Sequence, residues 1–147
     1  AASMLTANSF GYIPFDLFEL PAFIASAAEI VESGECGAEG DNVTWTLDSE
    51  GTLTISGKGD MMNWSNSDKP KYRDYDFKKV VIEEGITEIG NAAFYGSNRL
   101  AGVNFEEGLI SIGDEAFRNT GLTSISLPDS VTILIRLPGR SLMPNCR

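Results

Sequence analysis

The segment Val80-Val81-Ile82-Glu83-Glu84-Gly85-Ile86-Thr87-Glu88-Ile89-Gly90-Asn91-Ala92-Ala93-Phe94 returns 23 residues later as Val103-Asn104-Phe105-Glu106-Glu107-Gly108-Leu109-Ile110-Ser111-Ile112-Gly113-Asp114-Glu115-Ala116-Phe117. A third copy starts 22 residues further on, as Ile125-Ser126-Leu127-Pro128-Asp129-Ser130-Val131-Thr132-Ile133. Apolar side chains recur at Val80/Val103/Ile125, Ile82/Phe105/Leu127, Ile86/Leu109/Val131 and Ile89/Ile112/Ile133, while Leu100 and Leu122 close the units. A period in the low twenties marks a solenoid, in which one unit leaves apolar faces at both open ends and neighbours cover them by stacking. Each unit offers a short strand, a turn, a second extended piece and a compact Ala-Phe segment. A small Ala before Phe lets backbones approach while the ring fills the interior.

Upstream, Val43, Trp45 and Leu47 alternate with Thr44 and Thr46, and Thr52-Leu53-Thr54-Ile55-Ser56 alternates again after Asp48-Ser49-Glu50-Gly51. Period-two patterning around turn residues predicts a β-hairpin with Val43/Trp45/Leu47 facing Leu53/Ile55. A lone hairpin is marginal in water, so its apolar face must cover something. The first repeat is the obvious surface. The chain therefore divides into an N-terminal cap over 29–79, repeats over 80–133 (two full and one partial), and two ends of different character. The fold class is mainly β, a hairpin cap followed by a short repeat solenoid with brief helical or 3₁₀ turns.

The 147 residues carry 21 acids against 11 bases, a net charge of -10, which argues against general nucleic-acid binding. There is no histidine, which removes histidine triads, dyads, metal sites and general bases together. No cofactor or metal site is implied. No uncharged apolar run reaches the ~18 residues of a membrane helix. Cys36 and Cys146 lie 110 positions apart; a bridge would close a loop worth about 4 kcal/mol, and two free thiols are the alternative.

Residues 1–28 contain no Lys or Arg, and Ala25-Ser26-Ala27 has the small-x-small form of a signal-peptidase site. The segment reads either as an altered export-signal remnant or as an apolar arm. Residues 130–147 contain no acid but hold Arg136, Arg140 and Arg147. After Ile133 the expected Gly and Ala-Phe are replaced by Leu134-Ile135-Arg136-Leu137-Pro138. Residues 134–147 are thus an atypical tail, expected to come from a truncated or frame-shifted reading of a longer array. A coding sequence with no repeat in any other frame would refute that.

Ile86-Thr87-Glu88-Ile89-Gly90-Asn91-Ala92-Ala93-Phe94 and Leu122-Thr123-Ser124-Ile125-Ser126-Leu127-Pro128-Asp129-Ser130-Val131 resemble the BspA-like leucine-rich repeat family of bacterial secreted and surface proteins. The stretches 36–47 and 51–57 look like the region that precedes such repeats, so the resemblance spans about residues 36–133. It implies an extracellular or cell-surface protein, not an enzyme, that mediates protein interaction or adhesion to host or matrix components. A structural spacer within a longer surface protein is the alternative, and a carbohydrate-binding or hydrolytic module a remote third. The partner would be a protein.

Alternation against Val80/Ile82, Val103/Phe105 and Ile125/Leu127 places Val81, Asn104 and Ser126 outward, flanked by Glu83 and Glu106, as the partner-binding face. Glu83-Glu84 and Glu106-Glu107 stack one unit apart; a Ca²⁺ or cationic-ligand stripe is the sharp reading and a solvated turn the weightier one. Trp64, Tyr72 and Tyr75 lie among Lys69, Lys71, Arg73, Lys78 and Lys79 and would form an aromatic patch if exposed. Packing of Trp64, Tyr72 and Phe77 against the first repeat carries more weight. Asn42-Val43-Thr44 and Asn63-Trp64-Ser65 match the glycosylation triplet, a pattern common by chance.

Overall fold

The computed structural model describes residues 27–65 and 67–134. The strands are β1 Ile30–Gly37, β2 Gly40–Asp48, β3 Thr52–Gly57, β4 Gly59–Asp60, β5 Lys79–Ile82, β6 Ile86–Ile89, β7 Gly102–Phe105, β8 Ser111–Ile112 and β9 Ile133–Leu134, with a 3₁₀ turn at Lys71–Asp74. They make two sheets, in the orders β1-β2-β3-β5-β7 and β4-β6-β8-β9. The protein is mainly β.

The repeat is visible in the registers. β5 pairs in parallel with β7 through Val80↔Val103 and Ile82↔Phe105, and β6 with β8 through Ile89↔Ile112. Residues one period apart therefore sit on adjacent strands, about 4.8 Å apart. β2 and β3 pair antiparallel with Trp45↔Ile55 and Leu47↔Leu53 in register, the pairing that the alternation implies. β3 then pairs in parallel with β5, Leu53↔Val80 and Ile55↔Ile82. The hairpin thus extends the repeat sheet, and β3 is itself the strand of the first unit.

That first unit is hidden in the sequence. Tyr72 lies tilted against Phe94 with ring centroids 5.6 Å apart, and Phe94 stacks on Phe117 at 5.2 Å, so Tyr72 holds the Phe position one unit earlier. Along the other edge, the amide of Asn91 donates to Asn63 Oδ1 and the amide of Asp114 to Asn91 Oδ1, both at 2.7 Å. Asn63 precedes Asn91 by 28 residues whereas Tyr72 precedes Phe94 by 22, so about six extra residues lie between Trp64 and Tyr72. The period slips there, which hides the unit from a periodicity search.

Close backbone approach explains the recurring glycines. A Cβ on Gly90 would lie 1.8 Å from the Met62 carbonyl oxygen, and one on Gly113 2.6 Å from the Asn91 nitrogen. The neighbouring turns need a positive φ at Ala92 (54°) and at its equivalent Glu115 (59°). The core fills the space between the sheets, with Leu53, Ile55, Val80, Ile82, Ile89, Phe94, Leu100, Ile112, Phe117 and Leu122 all at most 1% exposed.

One strand is added to the expected set and one is missing from it. β1 precedes the hairpin and pairs antiparallel with β2; its Gly34 lies under Trp45, whose Nε1 would be 2.7 Å from an added Cβ. In the third unit, Ile125–Leu127 forms no strand, and β7 is the last strand of the first sheet. Only the second sheet continues, through Ser111↔Ile133 and Ile112↔Leu134. Pro128 follows directly and has no N–H to add to a ladder. Ile125, Leu127 and Val131 pack against the core half-buried.

Candidate partner-binding face

The five-stranded sheet turns one face inward and one outward, and its registers align side chains in rows across the strands. Ser33↔Thr46, Thr46↔Thr54, Thr54↔Val81 and Val81↔Asn104 make one outward row. Glu35↔Thr44 and Thr44↔Ser56 make the next. Glu83 and Glu106 continue its direction, their amides donating to Ile55 and Ile82 carbonyls at 3.0 and 2.9 Å. Asn104, Glu83, Glu106, Ser33 and Glu35 are exposed, while Val81, Thr44, Thr46, Thr54 and Ser56 are half-buried. The middle of the face is hydroxyl, amide and one valine. One rim is acidic.

Of the residues placed on this face from sequence, Val81 and Asn104 are direct neighbours and Glu83 and Glu106 stack beside them. Ser126 is exposed, but in the irregular segment beyond β7 rather than on a sixth strand. The hydroxyl residues Ser33, Thr44, Thr46, Thr54 and Ser56 share the face. The alternation of the hairpin carries that signal, but it points to them only once the hairpin is joined edge to edge with the repeats. The four ion pairs among the described residues are Lys69–Asp74, Lys71–Glu32, Arg99–Asp76 and Arg118–Glu115, so among those residues no cation pairs with the exposed Glu83 and Glu106 carboxylates. Among the described residues no cluster of three or more His, Cys, Asp or Glu is placed to hold a metal.

The three aromatics do not form one surface patch. Tyr72 is fully buried; its hydroxyl donates to the Ala93 carbonyl at 3.0 Å, and its ring meets Trp45 edge-on at 5.6 Å. Burial pushes its hydroxyl pKa well above the usual range. Tyr72 thus belongs to the core, and the surface-patch reading fails for it. Trp64 and Tyr75 are half-buried and pack against the core. The Tyr75 hydroxyl donates to Glu32 Oε2 at 2.9 Å, which holds the Glu32 carboxyl below its usual pKa and raises that of Tyr75. That bond ties β1 to the loop after the 3₁₀ turn.

Cys36 is free and buried, and desolvation pushes its thiol pKa up to about 12; Cys146 lies outside the described residues. Both glycosylation triplets use their asparagine structurally. Asn42 accepts from the Glu39 amide at 2.9 Å and donates to the Lys58 carbonyl at 2.9 Å, and Asn63 is a rung of the amide ladder.

Stacked parallel units, a side-chain amide ladder and a column of buried rings define a leucine-rich-repeat protein. Residues 69–136, a little under half of the chain, match the family described as BspA type Leucine rich repeat region (6 copies). The match begins before Val80 and takes in the Tyr72 segment. A crystal structure of a leucine-rich repeat protein from Eubacterium ventriosum is similar, with a TM-score of 0.62 and 31% identity over 70% of this chain. The chain spans 28% of that protein. A comparison with curated proteins finds no match. Among the described residues no helix is long and apolar enough to cross a membrane.

Proposed function

We propose that this chain is a non-catalytic interaction module, the short solenoid portion of a secreted or cell-surface protein, and that it binds a protein partner on the outward face of the five-stranded sheet. The observation that carries this is the row Ser33-Thr46-Thr54-Val81-Asn104, a solvent-facing strip crossing every strand of that sheet. Its polar groups are short and lose little rotamer freedom when covered. The rim carboxylates Glu35, Glu83 and Glu106 favour a partner with basic side chains, steering encounter more than adding affinity. The strands β1 and β2 act as the N-terminal cap of the repeats in this reading.

The test is Val81→Lys with Asn104→Lys, assayed by capture of host-cell and matrix proteins on the purified protein. Each lysine places a like charge before a basic partner, and the pair should weaken binding by about tenfold or more. Unchanged circular dichroism is expected; loss of secondary structure would place the two residues in the core instead. A second reading is favoured by the 28% span of the similar solved protein: the repeats serve as a spacer between other domains. A spacer binds no partner as an isolated fragment.

A further inference from the structure

A cavity of about 550 Å³ opens at the other end of the strands, away from the acidic rim, between the β2–β3 turn and the loop leading into β5. Its volume falls within the roughly 300–1,000 Å³ of small-molecule sites. The floor is apolar, from Leu47 (4% exposed) and Phe77 (3%), and Tyr75 supplies a wall. The mouth carries Asp76 and Arg99, which approach at 3.7 Å while remaining 77% and 71% exposed, together with Lys78.

The walls are fixed before any ligand arrives. Asp48 Oδ1 accepts from the amides of Glu50 and Thr52, both at 2.9 Å, which sets the turn. The Gly51 carbonyl accepts from the amides of Lys78 and Lys79, at 2.9 and 3.2 Å, pinning that turn to the start of β5. The Tyr75 ring is held by its hydroxyl on Glu32 and by packing on Trp45, with 6.3 Å between ring centroids. A preformed wall lowers the entropy cost of binding.

Charge then selects the ligand class. The cavity is lined by Asp48, Glu50 and Asp76 against Lys78 and Arg99, and a smaller hollow sharing Tyr75, Asp76, Phe77 and Arg99 adds Arg73. Three acids thus face two bases in the cavity itself, with Arg73 in the hollow beside it, a mixed patch on a chain of net charge -10. An anion would meet the three carboxylates and a cation the bases. An uncharged ligand with alternating donors and acceptors meets neither penalty. A carboxylate beside a guanidinium offers acceptors and donors to neighbouring hydroxyls, and a rigid tyrosine ring gives an apolar surface for C–H groups. We infer that this cavity binds an uncharged oligosaccharide, with Tyr75 as the stacking wall and Asp76 and Arg99 as the hydroxyl-reading pair. This site is separate from the sheet face, and neither reading depends on the other.

The experiment is saturation-transfer NMR followed by calorimetry on the full chain, using maltotriose, cellotriose, mannotriose and N,N′,N″-triacetylchitotriose as uncharged probes. Sialyllactose and the deacetylated chitosan trisaccharide are the anionic and cationic counterparts. At least one uncharged trisaccharide should bind with a Kd of about 1 mM or tighter, with the charged sugars weaker. Asp76→Ala with Arg99→Ala should weaken that binding about tenfold or more, because hydrogen bonds to charged groups are lost. Both side chains are largely exposed, so folding should survive. Val81→Lys with Asn104→Lys should leave sugar binding unchanged. No uncharged sugar bound at about 10 mM, a preference for a charged sugar, or indifference to the Asp76/Arg99 pair would each overturn the inference.

Discussion

Replacing Phe94 with alanine should remove the middle ring of the column that links the units. Phe94 is 0% exposed and contacts Tyr72 at 5.6 Å, Phe77 at 6.5 Å and Phe117 at 5.2 Å. Burying a Phe side chain contributes about 1.5–3 kcal/mol by transfer alone. The cavity left between rings held by both sheets brings Phe→Ala to about 3–5 kcal/mol. Three lost aromatic contacts push the value toward the upper half of that range. A domain of this size has roughly 5–15 kcal/mol in all, so the variant should be close to unfolding. Phe105→Ala is the internal control, because Phe105 is half-buried and meets only Phe117 among the described rings, edge-on at 6.2 Å. It should lose about 1–2 kcal/mol. Urea unfolding followed by tryptophan fluorescence reads both, since Trp45 abuts Tyr72 at the other end of the column. A Phe94→Ala loss below about 1 kcal/mol, or one equal to that of Phe105→Ala, would refute the view that this column holds the stack together.

Further expectations concern single residues. Glu115 holds a φ of 59°, strain of about 1–3 kcal/mol for a non-glycine residue. After the extra chain entropy of glycine is subtracted, Glu115→Gly should leave stability unchanged or raise it by up to about 1 kcal/mol in the same urea assay. Tyr72→Phe removes a buried donor from the Ala93 carbonyl and should cost about 1–3 kcal/mol. The pKa of Glu32 is lowered first by the Tyr75 hydroxyl. Its contribution is therefore present above the ordinary carboxyl range and is lost as pH falls through the lowered value. Tyr75→Phe should flatten the acid limb of the stability–pH curve and leave the plateau near neutrality with the same shape. Cys36, with its thiol pushed up to about 12 by burial, should resist iodoacetamide at pH 8 in the native protein and react promptly in urea, as read by intact mass.

The parts of the fold legible in the sequence were those governed by side-chain periodicity. Val80/Val103 and Ile82/Phe105 recur at a fixed interval, and the parallel registers follow from that interval. The hairpin follows from its alternation. The first unit was not legible because about six inserted residues displace Tyr72 from the Asn63 rung, and because a tyrosine stands where later units have phenylalanine. β1 was missed for a different reason: Gly34 looks like a turn residue but is small because a tryptophan ring lies over it. Tyr72 illustrates the limit for the site. Its neighbours Lys71 and Arg73 kept a surface patch open beside the weightier packing reading, and it is the burial of the ring and the long-range bond to Ala93 that show it points inward. For Val81 and Asn104 alternation gave the outward direction, whereas the hydroxyl residues joined the same face only through the β3–β5 pairing.

The amide ladder from Asn63 through Asn91 to Asp114 has a consequence for how such a protein can change over time. Each rung accepts the amide of the next unit, and the rows of the sheet are set by the same interval. An insertion or deletion inside a unit shifts every downstream rung, row and ring together unless a loop absorbs it, as the stretch between Trp64 and Tyr72 does. The length of the array is therefore quantised. Gain or loss of a whole unit leaves both seams matched, so duplication and recombination in steps of 22 or 23 codons are tolerated where smaller steps are not. The size of the molecule is a count of interchangeable tiles, and the number of tiles can drift while the joint between them stays fixed.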